Sequence, residues 1–145
     1  MSTRATARAL ILSKDGRVLL IRHVIRRDGQ PFVFWAAPGG RIEAGERAED
    51  AVVRELREEL QLDLMVEGPV HEAVSEFRDE SVWVANVDTF FIARCDQSSI
   101  SPRGVTTEER DALAEARWWS VDEIERSAET VFPPHLAKLL RALAP

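Results

Sequence analysis

The first 35 residues alternate short apolar runs with tight-turn signals, and this pattern predicts two successive β-hairpins. Asp15-Gly16 and Asp28-Gly29 are dipeptides typical of hairpin turns. Apolar residues flank each dipeptide on both sides, as paired strands require. The apolar runs occupy residues 9–12, 18–21, 24–25 and 32–35.

From about Glu46 to Leu60 the apolar period changes to that of a helix. The sequence Pro38-Gly39-Gly40 ends the strand pattern shortly before it, because such a cluster interrupts regular structure. The apolar positions of the predicted helix share one arc of about 100° on a helical wheel. They are Val52, Val53, Leu56 and Leu60.

The second half of the chain predicts further strands and two helices. Ser120 followed by Glu123 is a capping-box signature for a helix over 121–127, and Pro133-Pro134 predicts the start of a last helix. Because strands and helices do not alternate regularly, the sequence favours an α+β fold, a mixed sheet covered by helices, over a doubly wound sheet. Strands are predicted at 64–66, 71–77, 82–93 and 116–120, with a loop over 95–107.

Composition indicates the size and class of the protein. The chain has 145 residues, of which 45% are apolar and 30% are charged, which is ordinary for one globular domain spanning residues 1–145. A single cysteine, Cys95, excludes an internal disulfide and a four-cysteine zinc site. No apolar stretch reaches the length of a membrane span, and residues 1–10 lack a signal-peptide pattern. The sequence therefore predicts a cytoplasmic protein that is not membrane-bound.

The charge balance excludes some classes of partner. Lys and Arg number 19 and Asp and Glu number 25, which gives a net charge of −6. A stable nucleic-acid complex or an anionic membrane requires an overall basic surface, which this balance does not supply. Recognition of a phosphate group would therefore depend on a local cationic cluster or on a metal ion.

Three glutamates form an acidic stripe on the predicted helix. Glu55, Glu58 and Glu59 share an arc of about 100° on the helical wheel. Two carboxylates about 5 Å apart, at an effective dielectric constant of about 20, repel each other by roughly 3 kcal/mol. The stripe is therefore either a hydrated surface or a site for a divalent cation. Clustered oxygen ligands suit Mg²⁺, Mn²⁺ or Ca²⁺.

The segment 40–62 resembles the Nudix box, the signature of the Nudix hydrolase family, of which MutT is a representative. One position departs from the box: Gln61 stands where the family usually has glycine, just past the predicted end of the helix, where a left-handed residue is usual. The residues that match at the family's spacings are Gly40, Glu46, Arg54, Glu55, Leu56, Glu58, Glu59 and Leu62.

This resemblance implies a fold and a reaction. Nudix hydrolases share a mixed β-sheet sandwiched between helices, with the box as a loop–helix–loop. They hydrolyse a phosphoanhydride bond in a nucleoside diphosphate linked to another group, X, through metal-activated attack of water at phosphorus, with Mg²⁺ or Mn²⁺ as cofactor. The implied substrate is a (d)NTP or another NDP-X compound. The implied metal ligands are the carbonyl of Gly39 and the side chains of Glu55, Glu58 and Glu59.

The same resemblance implies roles for further residues. Arg54 orients a carboxylate of the box, and Glu46 supports the loop or contacts the metal through water. Glu55 is a metal ligand or the general base. In some members a glutamate from a later loop is the base instead, and the candidates here are, in order, Glu115, Glu109 and Glu108.

The substrate contacts are expected on the second hairpin and the box loop. Arg22 and Arg26 belong to the densest basic cluster and could bind a phosphate, although a solvated hairpin edge is the alternative. Trp35 is a candidate for stacking on the substrate, and Gly40 for contact from the box loop. Family members specific for diadenosine polyphosphates usually carry a tyrosine after the box, whereas this chain has no tyrosine.

Two alternatives to a hydrolase are open at this point. One is a catalytically silent Nudix domain that senses nucleotides, although the intact Arg-Glu-x-x-Glu-Glu of residues 54–59 argues against it. The other is an interaction protein with an acidic helix and no metal. Thermal stabilisation by Mg²⁺ would separate this last alternative from the first two, because a ligand of the folded state raises the melting temperature. The expected partner is a small nucleotide, and the resemblance is compatible with a homodimer.

Overall fold

The computed structural model describes residues 2–79, 81–96 and 113–143. Within these ranges the chain forms eight strands and three helices. The strands are β1 Ser2–Leu12, β2 Val18–Arg27, β3 Gln30–Ala36, β4 Gly39–Arg41, β5 Val66–Asp79, β6 Val82–Arg94, β7 Leu113–Trp119 and β8 Thr130–Phe132. The helices are α1 Ala48–Leu60, α2 Val121–Arg126 and α3 Leu136–Leu143.

The strands form one mixed sheet that divides into two halves at the first hairpin. Its main path is β5-β6-β1-β2-β3-β8, while β4 pairs with β1 and β7 pairs with β2. β1 runs parallel to β6 along its whole length, but it is in register with β2 only at Leu12 and Val18. Because β1 and β2 diverge beyond the turn, β4 can pair with β1 over Thr6–Arg8. This pairing brings the segment Pro38-Gly39-Gly40, called the glycine turn below, into the sheet.

Two apolar cores lie on opposite faces of the sheet, because successive side chains of β1 and β2 point to opposite sides. One core joins the sheet to α1, and the other joins it to α3. The first core includes Ile11, Leu19, Ile21, Val52 and Leu56. The second includes Leu10, Leu20, Trp35, Leu136 and Leu140. The predicted α+β fold, with a mixed sheet between helices, is therefore confirmed.

Most predicted elements are present, and the differences concern short or irregular strands. The two hairpins are confirmed, and the Ser120–Glu123 capping box at the start of α2 has both of its hydrogen bonds. The two strands predicted at 64–66 and 71–77 are instead one strand, β5, whose register against β6 shifts between Glu67 and His71. The three-residue strands β4 and β8 were not predicted, because each is defined only by its neighbour in the sheet.

Part of the predicted loop at 95–107 lies outside the described residues. Among the helices of the described ranges, none is long and apolar enough to span a lipid bilayer.

Candidate active site

The site begins where β4 meets β1, at the glycine turn before α1. The register places Gly39 opposite Arg8. The adjacent pair of the ladder, Ala9 and Pro38, is hydrogen-bonded, because the Ala9 N–H donates to the Pro38 carbonyl at 2.9 Å. Pairs alternate along an antiparallel ladder, so the Arg8–Gly39 pair is not hydrogen-bonded. Both backbone polar groups of Gly39 therefore point away from β1.

Gly39 connects this turn to α1. A Cβ atom at this position would lie 2.1 Å from the Ala7 carbonyl oxygen and 2.7 Å from the Arg8 Cα, so only glycine fits against β1. The Gly39 N–H donates to Glu59 Oε1 at 3.2 Å. Glu59 is only 7% exposed, and a buried carboxylate needs such a donor. The hydrogen bond thus fixes the last turn of α1 relative to β4.

Gly40 provides space for the second carboxylate of the stripe. A Cβ atom on Gly40 would lie 2.4 Å from Glu55 Cδ and 2.5 Å from Glu55 Oε1. The Glu55 carboxylate therefore rests directly against the Gly40 Cα. Any larger residue at position 40 would displace this carboxylate.

Arg54 is the centre of an ion-pair network on the outer side of the stripe. Its Nε and Nη2 donate to the two carboxylate oxygens of Glu46 at 2.8 and 3.0 Å. Its Nη1 donates to Glu55 Oε1 at 3.0 Å and to Glu58 Oε2 at 3.4 Å, while Nη2 also reaches the Arg41 carbonyl at 3.1 Å. The hydrogen bond with Glu46, followed by that with Glu55, raises the pKa of Arg54 above its ordinary value. One guanidinium thus offsets the repulsion between the carboxylates.

Glu46 anchors the loop before α1. The hydrogen bond from Arg54, followed by that from the Glu43 N–H, lowers the pKa of Glu46 from 4.5 to about 2. Its Oε1 accepts the Glu43 N–H at 3.0 Å. The loop is therefore tied both to its own backbone and to the helix.

The metal ligands expected from the sequence are all oxygen atoms, three carboxylates and the Gly39 carbonyl, and oxygen ligands suit a hard cation. The carboxylates do not converge, however: in the part of the chain that the structure describes, no three His, Cys, Asp or Glu side chains form a ready-made metal site. Glu55 and Glu58 contact Arg54 Nη1 instead. Glu58 is the most exposed member of the stripe, with 57% of its side chain accessible.

Gln61 ends α1 in the left-handed conformation, with φ 55° and ψ 37°. Its N–H donates to the Arg57 carbonyl at 3.0 Å, and the Leu62 N–H donates to the Leu56 carbonyl at 3.3 Å. The helix therefore ends as it would with glycine at position 61. Because Gln61 has a Cβ atom, its left-handed conformation costs conformational free energy.

Of the residues expected to contact substrate, Gly40 lies against the stripe, but Trp35, Arg22 and Arg26 are not brought to it. Trp35 is 2% exposed, and its ring packs against Trp119 with centroids 5.0 Å apart. It has no open face on which a base could stack, so we assign Trp35 to the core. Arg22 is paired with Trp35 across the second hairpin and thus faces the α3 side of the sheet, opposite α1. Arg26 Nη1 donates to the Gly29 carbonyl at the hairpin turn.

The candidates for a general base outside the helix have no described contact with it. Glu115 is exposed on β7, the strand that pairs with β2. Glu108 and Glu109 lie outside the described residues.

The sequence analysis missed an ion pair beside the glycine turn, formed by Arg8 of β1 and Asp88 of β6. Arg8 Nε donates to Asp88 Oδ1 at 2.9 Å, across 80 positions of sequence. The available signal was a charged residue of each sign within two strand-like segments, Arg8 in the first and Asp88 in the second. It required knowledge that β1 and β6 are neighbours.

Comparison with known proteins places these features in a family. The family model described as NUDIX domain matches residues 2–143. The chain is similar to the ADP-ribose pyrophosphatase of Methanocaldococcus jannaschii, with 48% identity over 50 residues, 34% of this chain and 27% of that protein. It is also similar to the CTP pyrophosphohydrolase of Escherichia coli, with 38% identity over 58 residues, 40% of this chain and 42% of that protein. These matches thus cover less than half of either curated relative.

Solved structures share the fold over almost the whole chain. The dihydroneopterin triphosphate pyrophosphohydrolase of E. coli superposes with a TM-score of 0.69 and 19% identity, covering 99% of this chain and 97% of that one. The MutT protein from Methanosarcina mazei superposes with a TM-score of 0.68 and 18% identity, covering 97% and 92% of the two chains.

Proposed function

The chain belongs to the NUDIX domain family, and from this membership and the geometry of α1 we propose that it hydrolyses a phosphoanhydride bond in a nucleoside diphosphate linked to a further group. One observation supports this proposal most strongly. The glycine turn holds both ends of the acidic stripe, through the Gly39–Glu59 hydrogen bond at 3.2 Å and the contact of Glu55 with Gly40. A merely hydrated acidic surface would not require two glycines in contact with its carboxylates.

Nudix hydrolases generally use divalent metal ions, and we propose Mg²⁺ or Mn²⁺ as the cofactor of this chain. The substrate is a polyanion, so the acidic stripe by itself would repel it. When bound, the cation supplies the positive charge that neutralises phosphate oxygens and favours the deprotonation of water. The proposed donors are the Gly39 carbonyl and the side chains of Glu58 and Glu59, with Glu55 as a further ligand or the general base.

Arg54 prepares the stripe for this role. Its guanidinium contacts both Glu55 and Glu58, and its positive charge offsets the repulsion between these two carboxylates. The contact with Glu58 is the longest of the set at 3.4 Å, and the exposed Glu58 side chain can leave it at little cost. Arg54 itself remains attached to Glu46 through two hydrogen bonds. We therefore propose Arg54 as a positioning residue.

Glu55 is our candidate for the general base. It lies against Gly40 at the turn and is joined to Arg54 at 3.0 Å, so its carboxylate is held in one place. Glu115, the first alternative, is exposed on β7. A base must hold a fixed position within hydrogen-bond reach of the water that it deprotonates, and this condition favours Glu55.

A panel assay would identify the substrate class. The relatives named above act on ADP-ribose and on CTP, so the panel should include NTPs, dNTPs, ADP-ribose, NDP-sugars and dinucleoside polyphosphates. Phosphate release would be measured with a coupled phosphatase, in Mg²⁺ and in Mn²⁺. Glu58→Gln is the test variant because Glu58 is exposed and its loss leaves no buried group without a partner. Glu49→Gln, which removes an exposed carboxylate from the first turn of the same helix, is the matched control.

We expect Glu58→Gln to lower turnover by about 100-fold or more and to weaken the stabilisation by Mg²⁺, with Glu49→Gln close to wild type. Absence of any thermal shift with millimolar Mg²⁺ or Mn²⁺ would refute the metal site. A clear metal-dependent shift without turnover of any panel member would favour the nucleotide-sensing alternative.

A further inference from the structure

Arg8 joins the glycine turn to a strand on the other side of β1. Its Nε donates to Asp88 Oδ1 of β6 at 2.9 Å, and its Nη1 donates to the Ala37 carbonyl at 2.9 Å. Ala37 lies two residues before Gly39 in the chain. One guanidinium therefore connects β6 to the segment that delivers Gly39 to α1.

The carboxylate of this pair is itself held in place. The Thr6 hydroxyl also donates to Asp88 Oδ1, and Asn86 Nδ2 donates to Thr6 Oγ1 at 3.4 Å. Thr6 and Asn86 are 6% and 7% exposed, and the side chains of Arg8 and Asp88 are 27% and 19% exposed. Desolvation offsets much of the attraction in a partly buried ion pair, so such a pair is weak evidence for stability alone. Its geometry indicates a role in orientation.

Gly39 depends on its neighbours for its position. Its N–H and carbonyl make no ladder hydrogen bond to Arg8, because the two residues form a non-hydrogen-bonded pair. The segment is held instead by the flanking backbone hydrogen bonds Ala9–Pro38 and Ile42–Ala5 and by the Arg8 side chain on Ala37. The hydrogen bond from Gly39 to Glu59 is 3.2 Å long, so a small shift of the turn would break it.

We propose that Arg8 and Asp88 are positioning residues of the active site. The pair holds the segment 37–40 at the distance from β6 at which the Gly39 N–H meets Glu59. The pair acts through the Ala37 carbonyl, two residues before Gly39. The effect of the pair on turnover rests on the function proposed above, whereas its effect on the Gly39–Glu59 hydrogen bond does not.

Two variants test this role. Asp88→Asn removes the negative charge and keeps the size of the side chain. Arg8→Lys keeps the positive charge but lacks the planar fork that serves Asp88 and the Ala37 carbonyl together. Glu125→Gln is the matched control, because Glu125 forms a two-point ion pair with Arg141, at 2.7 and 2.7 Å, in another part of the fold.

The first measurement is amide hydrogen exchange by NMR in the metal-free protein. We expect the Gly39 amide to exchange about tenfold faster or more in Asp88→Asn and Arg8→Lys, with Glu125→Gln unchanged. The Leu56 amide, in the interior of α1, reports global unfolding. A general loss of stability would accelerate Leu56 as well, whereas loss of positioning accelerates Gly39 selectively. An unchanged Gly39 amide, or equal acceleration of both amides, would overturn the proposal.

The second measurement separates kcat from KM on the substrate found by the panel. Because the pair does not touch substrate, we expect kcat to fall about tenfold or more and KM to change less than about threefold. Selective exchange at Gly39 without a change in kcat would refute the catalytic part of the inference. If the wild-type chain cleaves no panel member while Gly39 exchange accelerates selectively, the proposed function fails and the structural role of the pair stands.

Discussion

Arg54 and Glu46 form a two-point ion pair, with Nε to Oε2 at 2.8 Å and Nη2 to Oε1 at 3.0 Å. This geometry uses the Nε–Nη2 edge of the guanidinium and leaves Nη1 free to reach Glu55, at 3.0 Å. The loop before α1 and the acidic stripe are therefore coupled through one side chain. A substitution of Glu46 should therefore change the positions of the stripe carboxylates that Arg54 contacts, although Glu46 lies outside the stripe.

The stability that Glu46 contributes should depend on pH. Its pKa is lowered from 4.5 to about 2, so the ionised form is favoured by the fold. The contribution is fully present above about pH 4.5 and is lost as the pH falls towards 2. We expect Glu46→Gln to lower the urea midpoint at pH 6, and this difference from wild type to shrink between pH 4.5 and the lowest pH at which both proteins fold.

Glu49→Gln is the control for this experiment, since its carboxylate is exposed and 3.7 Å from Arg47. It should change the midpoint less than Glu46→Gln at pH 6. A Glu46→Gln effect of constant size from pH 6 to pH 3 would contradict the assigned ion pair.

Replacing Arg54 by lysine should not be conservative. Lysine is a point charge and cannot serve Glu46 at two points while it also contacts Glu55. We expect Arg54→Lys to destabilise the fold by about 1 kcal/mol and to lower turnover by about tenfold or more. Urea denaturation and steady-state kinetics measure the two effects. As a control, Arg57→Lys changes an exposed ion pair with Asp63 and should leave stability and turnover close to those of wild type.

Gly40→Ala should affect the site more than the fold. The added Cβ would meet the Glu55 carboxylate at 2.4–2.8 Å, and a flexible side chain can move where a backbone cannot. We therefore expect a modest loss of stability, with turnover lowered by about 100-fold and weaker binding of Mn²⁺, measured by electron paramagnetic resonance.

Gly45→Ala provides the comparison for Gly40→Ala. Position 45 has open space for a Cβ but a φ of +79°, so its substitution strains the backbone without touching a carboxylate. It should lower stability and preserve Mn²⁺ binding. Equal loss of Mn²⁺ binding in the two variants would contradict the role of the Gly40–Glu55 contact.

Gln61→Gly should relieve the left-handed conformation at the end of α1. Gln61 has φ 55°, which costs a non-glycine residue about 1 kcal/mol, partly offset by the greater chain entropy of glycine. We expect Gln61→Gly to stabilise the protein by about 0.5 kcal/mol, to leave turnover within a few-fold of wild type, and Gln61→Ala to give no gain. A large gain in turnover would show that Gln61 distorts the wild-type site.

Local sequence patterns predicted the hairpins and α1. Asp15-Gly16 and Asp28-Gly29 specify their turns through local backbone conformation, with Gly16 and Gly29 both at positive φ. The apolar arc of α1 and the spacing of Glu55, Glu58 and Glu59 follow from the helical repeat alone. For the same reason the family resemblance of residues 40–62 was visible without any tertiary information.

The positions that depend on distant parts of the chain could not be predicted. Trp35 carries the same aromatic signal whether it lines a pocket or fills a core, and only the packing of Trp119 and α3 against it placed it inside. Arg22 belonged to a basic cluster in the sequence, but the pleat turned it to the face opposite α1. The pleat decides which face of the sheet a side chain occupies, and the elements packed on that face decide whether the side chain is buried.

The sequence by itself determined the elements with a local period or turn and the chemistry of the acidic stripe. The tertiary structure decided how that stripe is held. It created β4 by placing residues 39–41 beside β1, and it joined Arg8 to Asp88 across 80 positions. The physical reason is that a helix or a hairpin closes its hydrogen bonds among near neighbours, whereas a short strand or an ion pair between strands exists only once distant segments have come together.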